Sequence, residues 1–90
     1  SIDDNAGFAT MSMQPNPAVN EVVINLNSSF ELKGDLTVYV CVGKLIFSKQ
    51  LYANHIAFEQ IDVTGWNSGV YHVVFTSHGG LIQKPLNIVK

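Results

Sequence analysis

The chain has no arginine, a single cysteine, and charge on only 13% of its residues. Without arginine it lacks the planar fork that grips phosphate or guanine through two parallel hydrogen bonds. Its five lysines are outnumbered by seven acids, for a net charge of −2. No basic stripe exists to displace counterions from a phosphate backbone, which excludes nucleic-acid binding. One cysteine allows no intrachain disulfide and assigns no redox compartment. An ordinary domain carries roughly 25% charged residues, so this surface must lean on Asn, Ser, Thr, Gln and backbone polarity, as expected of a module beside other parts of a larger protein. No apolar run approaches the ~18 residues that a membrane-crossing helix needs. No signal peptide is visible, and the chain opens Ser1-Ile2-Asp3-Asp4 without an initiator Met. An excised or processed piece is expected, with any export signal upstream. No segment sustains a 3.6-residue apolar period over three turns, so helices are not expected.

What remains is a β pattern. Apolar residues make up 47% of 90 residues, enough for one domain with a real core. Residues 1–9 are polar and read as a linker or lead-in, leaving 10–90 as the domain. Thr10–Gln14 alternates, with Met11 and Met13 on one face. Pro15-Asn16-Pro17 then stops the strand, because each Pro lacks an N–H and fixes φ near −65°. Val22, Ile24 and Leu26 share the inward face of a second strand. Asn27–Gly34 reads mostly as a loop, with Phe30 and Leu32 packing at its edge. In Asp35–Val42 the alternation puts Leu36, Val38, Val40 and Val42 on one face and Cys41 within a hydrophobic run. Gly43-Lys44 marks a hairpin turn into Leu45–Leu51. Tyr52–His55 reads as a turn, Ile56–Val63 as a strand with Ile61 and Val63 inward, and Thr64–Gly69 as a loop carrying Trp66. Val70–Thr76 places Tyr71, Val73 and Phe75 on one face. Ser77-His78-Gly79-Gly80 turns into a last strand, Leu81–Val89, where Pro85 removes a ladder donor and so favours an edge or a bulge. About seven short antiparallel strands at spacings of about 8–12 residues predict an all-β sandwich, with a small barrel as the alternative.

Chemistry is hard to find in this pattern. His55, His72 and His78 share no metal-ligand spacing, and no nucleophile, base and orienter are suggested together. Asp62 with Asn67 could contribute oxygens to a calcium loop, but capping of the loop by Asx-type hydrogen bonds is the simpler reading. Gly79-Gly80 lacks the pattern and the following helix of a phosphate cradle. Cys41 is expected to be buried and inert. Trp66 reads first as a lid over the core and second as a contact surface. Neither enzyme, metal site nor cofactor is expected.

The ordered motifs point elsewhere. Met13-Gln14-Pro15-Asn16-Pro17, the strand at Glu21–Leu26, the Gly-Lys turn within Leu36–Leu45, Ile61-Asp62-Val63 followed by Trp66-Asn67-Ser68-Gly69-Val70-Tyr71, and a last strand ending near Lys90 together resemble the C-terminal sorting domain of the type IX (Por) secretion system, type A. The resemblance runs from Met11 to Lys90. It implies an immunoglobulin-like β-sandwich at the end of proteins exported by certain Gram-negative Bacteroidota. It also implies transit through the periplasm, recognition by the outer-membrane translocon, and removal by a sortase-like signal peptidase. The upstream cargo on the same chain would be secreted or held at the cell surface. Carried over residue by residue, recognition falls on Gly79, Gly80, Lys84 and Lys90, while Pro15, Asn16, Pro17, Gly43, Gly69 and Tyr71 are architectural marks. Three departures stand out: Val40 and Val42 are apolar where the family is often polar, Trp66 replaces Leu, and Pro85 stands where Lys or Arg is frequent. The alternative is a carbohydrate- or protein-binding module, which needs exposed aromatics such as Trp66 and Tyr52. An unprotected edge strand would also permit self-association.

Overall fold

The computed structural model describes residues 9–77 and 80–90, without the side chains of Ser29, Phe30 and Ala53. Residues 1–8 of the lead-in, His78 and Gly79 of the last turn, and the packing of Phe30 lie outside the described residues. Five strands make up the rest: β1 (Ala9–Gln14), β2 (Glu21–Val40), β3 (Leu45–Asp62), β4 (Gly69–Ser77) and β5 (Gly80–Ile88). All pair antiparallel, in the order β1-β2-β4-β5, with β3 on β2.

β2 and β3 are longer than the sequence suggests. The segments read as a loop, Asn27–Gly34, and as a turn, Tyr52–His55, are two sides of one antiparallel pair: Glu31, Leu32, Lys33 and Gly34 face Asn54, Ala53, Tyr52 and Leu51. Pairing supplies the backbone partners that a loop would have sought in water. The register slips between Asn27 and Glu31, and His55 takes a positive φ of 81°. Such a bulge bends both strands and carries them from one layer to the next. The five strands therefore provide seven antiparallel segments. One layer holds β1, the first half of β2 and the second half of β3. The other holds the first half of β3, the second half of β2, β4 and β5.

Between the layers lies the apolar set that alternation selects. Met11, Val22, Ile24, Leu26, Leu36, Val38, Ile61, Val63, Tyr71, Val73 and Phe75 are buried, joined by Leu32, Ile82, Leu86 and Ile88. Each aliphatic or Phe side chain so covered contributes about 1.5–3 kcal/mol before chain entropy is charged. At the other end of β2 the expectation fails. The strand stops at Val40, whose N–H donates to the Lys44 carbonyl, and Gly43 N–H donates to Val40. This turn throws out Val42, at 84% exposure, and Cys41. Cys41 is thus an exposed turn thiol and not a buried core residue.

A parallel bridge between Ala18 and Ile88 draws the layers toward a barrel. Ala18 N–H donates to the Asn87 carbonyl at 2.8 Å, and Val89 N–H donates to the Ala18 carbonyl at 2.9 Å. Charged side chains lie across the open sides of the sandwich. The register sets Lys49 on the same side of the sheet as Leu36, though its side chain stays 54% exposed, and Glu59 on that of Ile24. Lys49 Nζ meets Glu59 Oε2 at 3.0 Å across the gap. On the opposite side Lys84 shares the inward face of Val73, and its Nζ donates to the Met11 carbonyl at 3.2 Å. Inward-pointing charge on an edge strand blocks further strand pairing.

Candidate recognition surface at the last strand

β5 is an edge in the sheet order, as Pro85 anticipates, but that edge is not bare. Asn16, held between two prolines whose peptide bonds are both cis, turns its amide onto the edge. Its Nδ2 donates to the Pro85 carbonyl at 3.3 Å, and its Oδ1 accepts the Asn87 N–H at 3.0 Å. An amide side chain offers the same donor and acceptor as a peptide group. Asn16 thus acts as a one-residue strand, and Ala18 continues the ladder with backbone groups.

Past Ile88 the chain is fastened again. Lys90 N–H donates to Ser68 Oγ at 2.9 Å. Its Nζ donates to the carbonyls of Val63, at 2.8 Å, Thr64, at 3.1 Å, and Val19. These carbonyls converge because the loop after β3 folds beneath the corner before β2: Val63 N–H donates to the Asn20 carbonyl, and Trp66 N–H to that of Val63. Asp62 stabilises the loop by accepting both the N–H and the hydroxyl of Thr64, at 2.9 and 2.6 Å. Those bonds favour the carboxylate and lower the Asp62 pKa, with a smaller contribution from the Lys90 charge. The capping reading of Asp62 is the one seen, and Asn67 uses its carbonyl to accept the Tyr71 hydroxyl at 2.6 Å. Trp66 is half-buried against Tyr71, ring centres 5.2 Å apart. Among the described residues no three His, Cys, Asp or Glu side chains are grouped so that they could hold a metal.

The residues singled out from sequence fall into two sets. Asn16, Gly69, Tyr71 and Lys90 converge on one pole. Pro15 and Pro17 flank the stitch, and Gly69 opens β4 opposite Ile88. Gly43, with φ 92°, forms the hairpin turn that starts at Val40, and the register sets Val40 opposite Tyr71. The recognition set does not converge. Gly80 and Ile88 end the same strand, about 27 Å apart at ~3.4 Å per residue, with Lys84 midway. Sequence reasoning did not find the amide stitch or the carbonyl cup around Lys90. An Asn between two prolines, unable to join a ladder through its neighbours, was the available signal for the first.

At the opposite pole, beside the start of β5, the bend leaves a cleft of about 580 Å³ lined by Lys33, Asp35, Gln50, Tyr52 and Thr76 among others. Tyr52 is 66% exposed there. Its hydroxyl donates to Glu31 Oε2 at 2.6 Å, and that bond, with the charge behind it, raises the phenol's pKa.

A search of curated proteins finds no match to this chain. A family model does match: that of the secretion system C-terminal sorting domain, over residues 12–89. The span starts inside β1 and ends one residue short of Lys90, so it takes in the proline corner, both layers and the last strand. With nearly every residue of the sandwich inside that match, the chain belongs to the C-terminal sorting domain family of the type IX secretion system.

Proposed function

We propose that this domain directs a cargo protein on the same polypeptide through the type IX outer-membrane translocon as a folded unit. It then leaves the cargo secreted or at the cell surface. The observation that carries the proposal is the convergence of the family's motif residues on the last strand: Asn16, Ser68 and Lys90 all act to hold β5 and the chain beyond it. A corner, a loop and a lysine just past β5, so far apart in sequence, have a shared purpose if the structure to be presented is that strand. Removal by a sortase-like signal peptidase in or before residues 1–9 belongs to the same reading, as does a Bacteroidota source. The domain performs no chemistry itself and needs no cofactor. The Tyr71 hydroxyl bonded back to the backbone near the start of β4 is the tyrosine-corner arrangement of immunoglobulin-type sandwiches, and it supports the immunoglobulin-like reading.

The test is a fusion of the 90-residue chain to a periplasmic reporter in a cell that has the type IX system. Delivery to the surface or medium is expected, lost when the translocon is disabled. A reporter that stays periplasmic with the intact domain would refute the proposal. One observation favours the alternative, a saccharide-binding module: the exposed Tyr52 ring beside the cleft, with Asp35 and Gln50 for hydroxyl groups. Trp66 does not join it, being packed on Tyr71. Titration of the domain with soluble oligosaccharides, read by the amide signals of Asp35 and Gln50, separates the two.

A further inference from the structure

The sorting reading, on which this inference rests, requires that β5 be read by something, and the structure leaves few ways to do so. Its inward residues are spoken for: Ile82, Leu86 and Ile88 are core, and Lys84 spans the seam to the Met11 carbonyl. Its ladder edge is taken from Pro85 to Val89 by Asn16 and Ala18. Lys90 directs its charge into a cup of backbone carbonyls. What β5 presents along its length is the outward row Leu81, Gln83, Pro85 and Asn87, all exposed.

That row belongs to the outer face of the larger layer. The register sets Gln83 beside Val74 and Thr37, Pro85 beside His72 and Tyr39, and Asn87 beside Val70. Between Asp35 at one rim and Lys44 at the other, no outward residue of this face is an Asp, Glu or Lys. Leu81 and Val70 stand about half exposed on it, at 51% and 47%. Four strands ~4.8 Å apart and six residue steps of β5 give roughly 300 Å², the size of a functional patch on a monomer and small enough for a transient contact. From the side chains that β5 leaves available, we infer that the secretion system's recognition component docks on this uncharged sheet face, through a neutral surface of its own. The lysines of β5 and the chain end act in the fold and not in the contact.

A charge scan of both signs on the reporter fusion tests this. Gln83→Glu and Gln83→Lys, and Val70→Glu and Val70→Lys, place charge on the face. Ser12→Glu and Ser12→Lys place it on the exposed outer side of β1 in the other layer. Denaturation midpoints confirm folding, and the exposed Gln83 pair decides should a Val70 variant prove unstable. A neutral contact loses the attraction whichever sign is added, because the unpaired charge must be desolvated. Export is expected to fall at least tenfold for both signs on the face and to stay within twofold for both Ser12 variants. Three results would overturn the inference: face variants exported like the parent, tolerance of one sign only (which means a charged receptor), or equal losses from Ser12. Failure of the unmodified fusion to leave the periplasm overturns the sorting reading itself, and this inference with it.

Discussion

Replacing Asn16 with alanine isolates what the proline corner does for the last strand. The change deletes the donor to the Pro85 carbonyl, at 3.3 Å, and the acceptor of the Asn87 N–H, at 3.0 Å, and touches no core residue. A hydrogen bond returns about 0.5–1.5 kcal/mol net of what water would supply. Both bonds are solvent-exposed, so the pair is worth about 1–2 kcal/mol. In a domain of this length each 1 kcal/mol lowers the thermal midpoint by about 4–8 °C, so a fall of roughly 5–15 °C is expected. Hydrogen exchange localises the effect. The Asn87 amide loses its own acceptor and should speed by more than the factor of ten that about 1.4 kcal/mol of global destabilisation gives, while Val73 in the middle of β4 should speed only by that global factor. Asn16→Asp keeps the acceptor and loses the donor, so it should protect the Asn87 amide better than alanine does. An unchanged midpoint together with an unchanged Asn87 exchange rate in Asn16→Ala would refute the idea that this amide stands in for a strand.

Other perturbations follow from the same geometry. A Cβ on Gly34 would sit 2.0 Å from the Thr76 carbonyl oxygen, so Gly34→Ala should cost about 1–3 kcal/mol through forced backbone shifts, read as a lower urea midpoint. Tyr71→Phe deletes the part-buried bond to the Asn67 carbonyl and should cost about 1–2 kcal/mol, again by urea titration. Lys49→Val removes inward charge from the open β3 seam; stability should move by less than ~1 kcal/mol, but sedimentation should show concentration-dependent self-association. Because folding lowers the Asp62 pKa, its contribution to stability is present above the unfolded carboxylate value of about 3.9 and is lost as pH falls through the folded value. Asp62→Asn should flatten stability over that acid range.

Much of this fold can be read from the chain, and what cannot has a common physical cause. Period-two alternation identifies the inward faces of β1, β2, β4 and the end of β3, because burial of one face is a local pattern. Val22, Ile24, Leu26, Tyr71, Val73 and Phe75 show it directly. Asn27–Gly34 and Tyr52–His55 misled because Asn, Ser, Gly and His are turn formers locally, while here a distant partner strand satisfies their backbone. Cys41 and Val42 misled in the opposite sense: β-branched and sulfur side chains look like strand interior, yet the Gly43 turn begins before them. The candidate site was legible in its members but not in its arrangement. Nothing local shows that the Asn16 amide finds Pro85 and Asn87, or that the Lys84 and Lys90 ammonium groups face carbonyls.

The stitch between Asn16 and Asn87 joins positions 71 residues apart. A ribosome-bound or truncated chain that lacks its final strand therefore has an unclosed seam where Asn16 and Ala18 await partners, and the outward row of Leu81, Gln83, Pro85 and Asn87 is not displayed. Closing so large a loop is rewarded only when the whole ladder forms. The address is in that sense displayed all at once. A polypeptide that displays it has been made past β5, and its sorting domain has folded around that strand.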